Sequence, residues 1–92
     1  MRQYEALFII DAEKEASLKD ITEGIIATFK KNNAQVSKEE NWGKQKLAYP
    51  VKKKRDAIYY KVEFSADPAK IAALNGVYKL NSDILRVMIS SK

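Results

Sequence analysis

Ninety-two residues carry seventeen Lys or Arg against twelve Asp or Glu, a formal net charge of +5, with neither cysteine nor histidine. That length holds one domain, residues 1–92, and no second independent core. Without Cys there are no disulfides and no thiolate chemistry, which agrees with a reducing compartment, and without His the commonest metal ligand and neutral-pH acid/base are missing.

The first apolar run, Ala6 to Ile10, is bracketed by Glu5 and Asp11. It is too short for a secretory signal core or a bilayer span, and it predicts a buried central strand over about residues 3–10. A soluble, cytoplasmic protein is expected, with no membrane partner. Ser17 offers an N-cap with Asp20 three residues on, and Leu18, Ile21, Ile25, Ile26 and Phe29 recur at helical spacing. The spacing predicts a helix over about residues 16–31 that ends at an Asn32-Asn33 turn. Gly24 costs that helix about 1 kcal/mol relative to Ala without breaking its period.

Residues 34–49 are looser and more polar, as in an edge strand, and Gly43 marks a bulge or bend in it. Pro50 and the charged run to Asp56 predict a hairpin loop. From Ala57 to Ser65 the chain alternates, with Ile58, Tyr60, Val62 and Phe64 on one face and Tyr59, Lys61 and Glu63 on the other, which is a half-buried strand. Asp67-Pro68 is an N-cap followed by Pro at the first helical position. The helix it starts buries Ile71, Leu74 and Tyr78 and ends near Leu80-Asn81. A last strand runs from Ile84 to Ile89, interrupted by Arg86.

Strand, helix, strand, strand, helix, strand makes two strand–helix–strand units. With right-handed crossovers they form a four-stranded antiparallel sheet with both helices on one face, the α+β ferredoxin-like split βαβ arrangement. One sheet face is left without a helix and is available to a partner.

Charge is unevenly placed. Between Lys44 and Lys61 stand seven bases against one acid, Asp56, so this segment carries +6, while ten bases against eleven acids leave the remainder at −1. A localised basic field attracts polyanions. The bland alternative is a solvated hairpin whose lysines keep an edge strand from pairing with other chains. One-signed charge on a projecting hairpin favours a phosphate-binding finger. Lysines act there as point charges that do not read sequence, and each phosphate neutralised adds roughly 0.7–0.9 to the salt slope.

Adjacent strand residues face opposite ways, so Tyr59 takes the open face and Tyr60 the core. The strand lacks the Lys/Arg-Gly-aromatic signature of an RNA-recognition motif. Tyr59 can stack on a base or pack on a partner protein. Trp42, beside Gly43, is either a packing anchor at the bend or an interface residue. Glu39-Glu40 and the Asp11, Glu13, Glu15 group lack an accompanying His, glycine-rich loop or ligand spacing, and read as turn and helix-terminus charges. No catalytic residue, metal site, cofactor or small-molecule substrate is expected, and no glycine loop cradles a phosphate.

Trp42-Gly43, then Leu47-Ala48-Tyr49-Pro50 and the basic run after it, resemble the bacterial small-subunit ribosomal protein six family. Met1-Arg2-x-Tyr4-Glu5 resembles that family's opening and Asp83-Ile84-Leu85-Arg86-Val87-Met88 its last strand, so the likeness runs the full length. The resemblance implies a ferredoxin-like fold. It also implies a non-enzymatic ribosomal protein that binds the central domain of small-subunit (16S) ribosomal RNA, with small-subunit ribosomal protein eighteen as heterodimer partner. Carried over by position, RNA contacts fall on Arg2, Lys44, Lys46, Lys52, Lys53, Lys54, Arg55 and Arg86, and the partner protein on Trp42, Tyr49 and Tyr59. Where the family commonly has arginine before Leu-Ala-Tyr-Pro, this chain has Gln45 and Lys46, losing a forked phosphate grip. Some members carry an acidic C-terminal tail, and no tail function is expected from the residues to Lys92.

Two other classes compete. An acylphosphatase-like enzyme needs an anion cradle after the first strand, where this chain has the acidic Asp11-Ala12-Glu13-Lys14-Glu15. A protein-only interaction or ligand-sensing module would dimerise through the open sheet.

Overall fold

The computed structural model describes residues 2–51 and 53–92, with the backbone alone at 49 and 51. The chain runs through β1 (Arg2–Asp11), a 3-10 segment (Ala12–Ser17), α1 (Leu18–Lys31), β2 (Gln35–Val51), β3 (Lys54–Ala66), a 3-10 turn (Pro68–Lys70), α2 (Ile71–Lys79) and β4 (Ile84–Ser91). The sheet order is β2-β3-β1-β4, with every neighbouring pair antiparallel. This is the expected ferredoxin-like fold, with β1 and β3 central and β2 and β4 at the edges.

Alternation decides which face is covered. Tyr4, Ala6, Phe8 and Ile10 of β1 lie beside Ile58, Tyr60, Val62 and Phe64 of β3, and this surface packs against Ile21, Ile25 and Phe29 of α1 and Leu74 and Tyr78 of α2. Aromatic rings fill the centre. Phe8 meets Tyr78 edge-on at 4.8 Å between centroids, and Phe29 lies 4.5 Å from Phe64. The Tyr78 hydroxyl donates to the Ile25 carbonyl at 2.8 Å, tying α2 to α1 in the dry interior. Burial pushes the Tyr78 phenol above its ordinary pKa, with Tyr60 nearby adding to the shift, so the donor keeps its proton at neutral pH. Tyr78→Phe should cost about 0.5–1.5 kcal/mol in urea unfolding with an unchanged m-value, because the Ile25 carbonyl keeps its intrahelical partner.

Three local readings change. Ser17 occupies the N-cap position of α1 but makes no side-chain bond. The chain begins to wind earlier, where Asp11 Oδ1 accepts the Glu13 N–H at 3.0 Å, and the Leu18 N–H is taken by the Glu15 carbonyl. The 3-10 segment thereby satisfies donors a cap would otherwise serve. At the other helix Asp67 accepts from the Ala69 N–H with Pro68 next to it, as expected, though the first turn is 3-10.

The second change is at the hairpin. No loop spans residues 50–56, because β2 reaches Val51 and β3 starts at Lys54. Most of the charged run therefore lies in β3. Pro50 does not stop the strand because the ladder is already broken there. Lys46 pairs with Asp56 and Val51 with Lys54, so residues 47–50 oppose Arg55 alone, and on an edge strand the missing Pro N–H leaves no partner unsatisfied. Third, β4 runs two residues past Ile89, and the Lys92 N–H donates to the Gln3 carbonyl at 2.9 Å.

Gly43 marks a bulge as expected. Asn41 pairs with Tyr60 and Gly43 with Tyr59, leaving Trp42 as the extra residue, and Gly43 has φ +77, a conformation costly for a residue with a side chain. Asn33 at φ +59 turns the chain out of α1. Among the described residues no helix is long and apolar enough to cross a membrane.

Candidate functional site

β1 ends at Asp11, opposite Ala57, while β2 and β3 continue through Lys46–Asp56 to Val51–Lys54. A two-stranded ribbon therefore projects past the end of the sheet. Its cations point both ways. Lys44, at the root of the ribbon beside the end of β1, and Lys46, on the ribbon, lie opposite Ile58 and Asp56 on the helix side, whereas alternation puts Arg55 on the open side with Ala57 and Tyr59. Lys53 occupies the turn at φ +66. Lys44, Lys46, Lys53 and Arg55 are exposed, and none is ion-paired among the described residues.

Two cations of the same segment are already engaged. Lys54 Nζ donates to Glu13 Oε2 at 2.7 Å and lies 3.6 Å from Asp11 Oδ2. The hydrogen bond to Glu13, opposed by partial desolvation and aided by the charge of Asp11, raises its pKa above that of a free lysine. Lys61 pairs with Glu5 at 3.2 Å and lies 5.9 Å from the centroid of the Trp42 ring. Lys52 lies outside the described residues. Arg2 stands at the opposite end of β1 from Asp11, about 30 Å along the strand. Arg86 is exposed on the open face opposite Ile9, with Tyr59 on the other side of Ile9, about 10 Å across two strands. The eight cations named from sequence are thus not one patch.

Trp42 and Tyr59 meet on the open face, their rings stacked at 6.3 Å and 30°. Trp42 is 47% exposed, so it is an anchor at the bend and a surface residue at once. The bulge holds it there: the Gly43 N–H goes to Asn41 Oδ1 at 2.8 Å and Gln45 Nε2 to the Trp42 carbonyl at 3.0 Å. Glu40 accepts from the Trp42 indole, and its pKa is lowered by hydrogen bonds from Lys38 first and Trp42 second. Tyr49, whose side chain is outside the described residues, cannot be set beside them.

Leu7 and Met88 complete this surface. They are register partners on β1 and β4 and line a shallow pocket with Trp42, Glu5, Lys61 and Ser90. Below it Ile9, Ala57 and Leu85 are buried under Leu47 and Tyr59, so Leu47 shields part of the open face. Neither Leu7 nor Met88 stood out in the sequence. The odd parity of Leu7 and Ile9 within the first strand is the signal that marks them. A patch of half-exposed large apolar side chains rimmed by an ion pair has the character of a docking surface.

On the core side Tyr60 donates its hydroxyl to Glu39 of the edge strand. Burial first, then that bond, pushes the phenol above its ordinary pKa. After β1 the carboxylates of Asp11 and Glu13 face Lys54, an arrangement that does not cradle an anion. Among the described residues no group of three or more His, Cys, Asp or Glu could hold a metal ion.

Residues 3–91 match the family model described as ribosomal protein S6. A small ribosomal subunit protein bS6 from Desulforamulus reducens is 39% identical over 90 residues, covering 97% of this chain and 95% of that protein. One from Streptomyces griseus is 31% identical over 90 residues, covering 97% and 94%. The crystal structure of 30S ribosomal protein S6 from Thermotoga maritima superposes with a TM-score of 0.93 at 25% identity, covering 99% of this chain and 87% of that one. The C-terminal domain of the MgtC protein from Mycobacterium tuberculosis, at a TM-score of 0.69 and 15% identity, shares the fold alone.

Proposed function

Since the chain belongs to the ribosomal protein S6 family, a structural and non-enzymatic constituent of the small ribosomal subunit, we propose that it docks on the central domain of small-subunit ribosomal RNA through its projecting hairpin. We propose in addition that small-subunit ribosomal protein eighteen packs on the open sheet face. The observation that carries the reading is four exposed cations, unpaired among the described residues, Lys44 at the root and Lys46, Lys53 and Arg55 along a ribbon that projects beside an apolar face. The cations supply attraction without sequence reading. The apolar face supplies a desolvated contact of the kind that anchors protein pairs. Binding as a preformed pair loses one set of rigid-body freedoms at the RNA step, which favours the pair over either protein alone.

The test is binding to a central-domain ribosomal RNA fragment, with and without the partner protein, across a salt series. Tight binding that needs the partner and weakens steeply with salt supports the reading. Equal, weak binding to any RNA overturns it. For the protein contact, Trp42→Ala should weaken the heterodimer by about 2 kcal/mol, roughly thirtyfold, by titration calorimetry. Unchanged affinity would remove the Trp42–Met88 surface from the interface. Sedimentation of the chain alone separates this from self-association, since a stable homodimer would mean the open face serves a second copy.

A further inference from the structure

We infer that Lys54, though part of the basic run, is a positioning residue that braces the hairpin against the β1–α1 connection instead of neutralising a phosphate. The inference rests on the RNA-docking reading of the hairpin and divides its cations into two kinds. Lys54 is the first residue of β3, directly after the turn and paired with Val51. Its ammonium reaches Glu13 at 2.7 Å and Asp11 at 3.6 Å.

Asp11 is buried, the one buried charged residue among those described. Its Oδ1 accepts the Glu13 N–H, and its own N–H goes to the Asp83 carbonyl at 3.2 Å. Lys14 lies 3.8 Å from the Asp83 carboxylate. The end of β1, the 3-10 segment, the α2–β4 turn and the tip of the hairpin therefore meet at one residue, the turn through the Asp11 N–H and the 3-10 segment and hairpin through its carboxylate. A buried carboxylate without a counterion is costly. Turning Lys54 toward a phosphate would strip Asp11 of its cation and bare Glu13 to the RNA backbone. Lys53 and Arg55, on either side in sequence, face no such penalty.

The ribbon also needs a brace. A two-stranded ribbon is marginally stable by itself, and this one's ladder is interrupted between Lys46 and Val51. Hydrogen bonds to β1 stop at Ala57, so they do not set the direction of the tip. Lys54 supplies a contact from the tip to the body of the domain on the helix side. The acidic turn that would repel a phosphate is the anchor for this contact.

The experiment compares Lys54→Met with Lys53→Met in binding to the ribosomal RNA fragment over a salt series, with amide hydrogen exchange of the free protein as a second readout. Lys53→Met should lower the log–log salt slope by roughly 0.7–0.9. Lys54→Met should leave the slope unchanged and lower affinity on the order of tenfold equally at every salt concentration, with faster exchange confined to the hairpin. Lys54→Arg, whose fork reaches both carboxylates, should restore affinity and protection. A slope reduced by Lys54→Met as by Lys53→Met would make Lys54 a phosphate ligand and overturn the inference, as would a variant with unchanged affinity and exchange. If wild-type binding has no salt dependence, the docking reading itself fails, and hairpin exchange in the free protein still decides whether Lys54 is a brace.

Discussion

Replacing Phe8 by alanine should lower the unfolding free energy by about 3–5 kcal/mol. A domain of this size is stabilised by only about 5–14 kcal/mol, so this one change removes a large share. The reason is position as well as size. Phe8 is fully buried on a central strand and touches the rings of Phe29, Tyr60 and Tyr78. β1 is held between β3 and β4, so the backbone cannot collapse into the space left by the ring. The melting temperature should fall by roughly 15–30 °C. Leu80→Ala is the control: Leu80 is 87% exposed, and its loss should stay within about 0.5 kcal/mol. Urea and thermal unfolding read both. A cost for Phe8→Ala below about 1.5 kcal/mol would mean the aromatic cluster is not the centre of the core.

The burial of Phe8 follows from its place in a short apolar run, and other features of the fold are equally local. Alternation from Ile58 to Phe64, the helical spacing of Ile21, Ile25 and Phe29, and Asp67-Pro68 each act within a few residues, and each element lies where they predict it. The misreadings share a cause. Pro50 looked like a strand end, but the register slip opposite Arg55 removed the hydrogen bond that proline would have broken. Ser17 looked like a cap, but Asp11 had already begun to wind the chain. The Lys54–Glu13 bond joins residues 41 apart, which no periodicity can reveal. The candidate site was legible as charge and as a tyrosine facing outward. Which cations are neighbours, and which are already spent on Asp11, Glu13 or Glu5, depended on strand register and on side chains from other elements.

Neutralising Lys44, Lys46, Lys53 and Arg55 together as glutamines should lower the salt slope of RNA binding by about 2.8–3.6 and reduce affinity at 0.1 M salt roughly a thousandfold. The formal charge would fall from +5 to +1, while every ion pair found in the folded chain is left in place. The effect should fade toward 1 M salt, where counterion release no longer drives association. Circular dichroism and the melting temperature should hold, since surface changes away from buried contacts stay within about 0.5 kcal/mol each. The two-sided ribbon sharpens the expectation. Lys44 and Lys46 point to the helix side, and Arg55 to the open side. If the ribbon enters between two phosphate backbones, neutralising Lys44 with Lys46, and Lys53 with Arg55, should each lower the slope by about 1.4–1.8, and the two losses should add. If one pair carries the whole slope, the RNA lies against one side only and the other cations serve solubility. An unchanged slope in the quadruple variant would sink the model in which these four cations dock the RNA, because Lys54 is engaged by Asp11 and Glu13, Arg2 and Arg86 lie on β1 and β4 outside the hairpin, and a single lysine at position 52 accounts for at most about 0.7–0.9 of the slope.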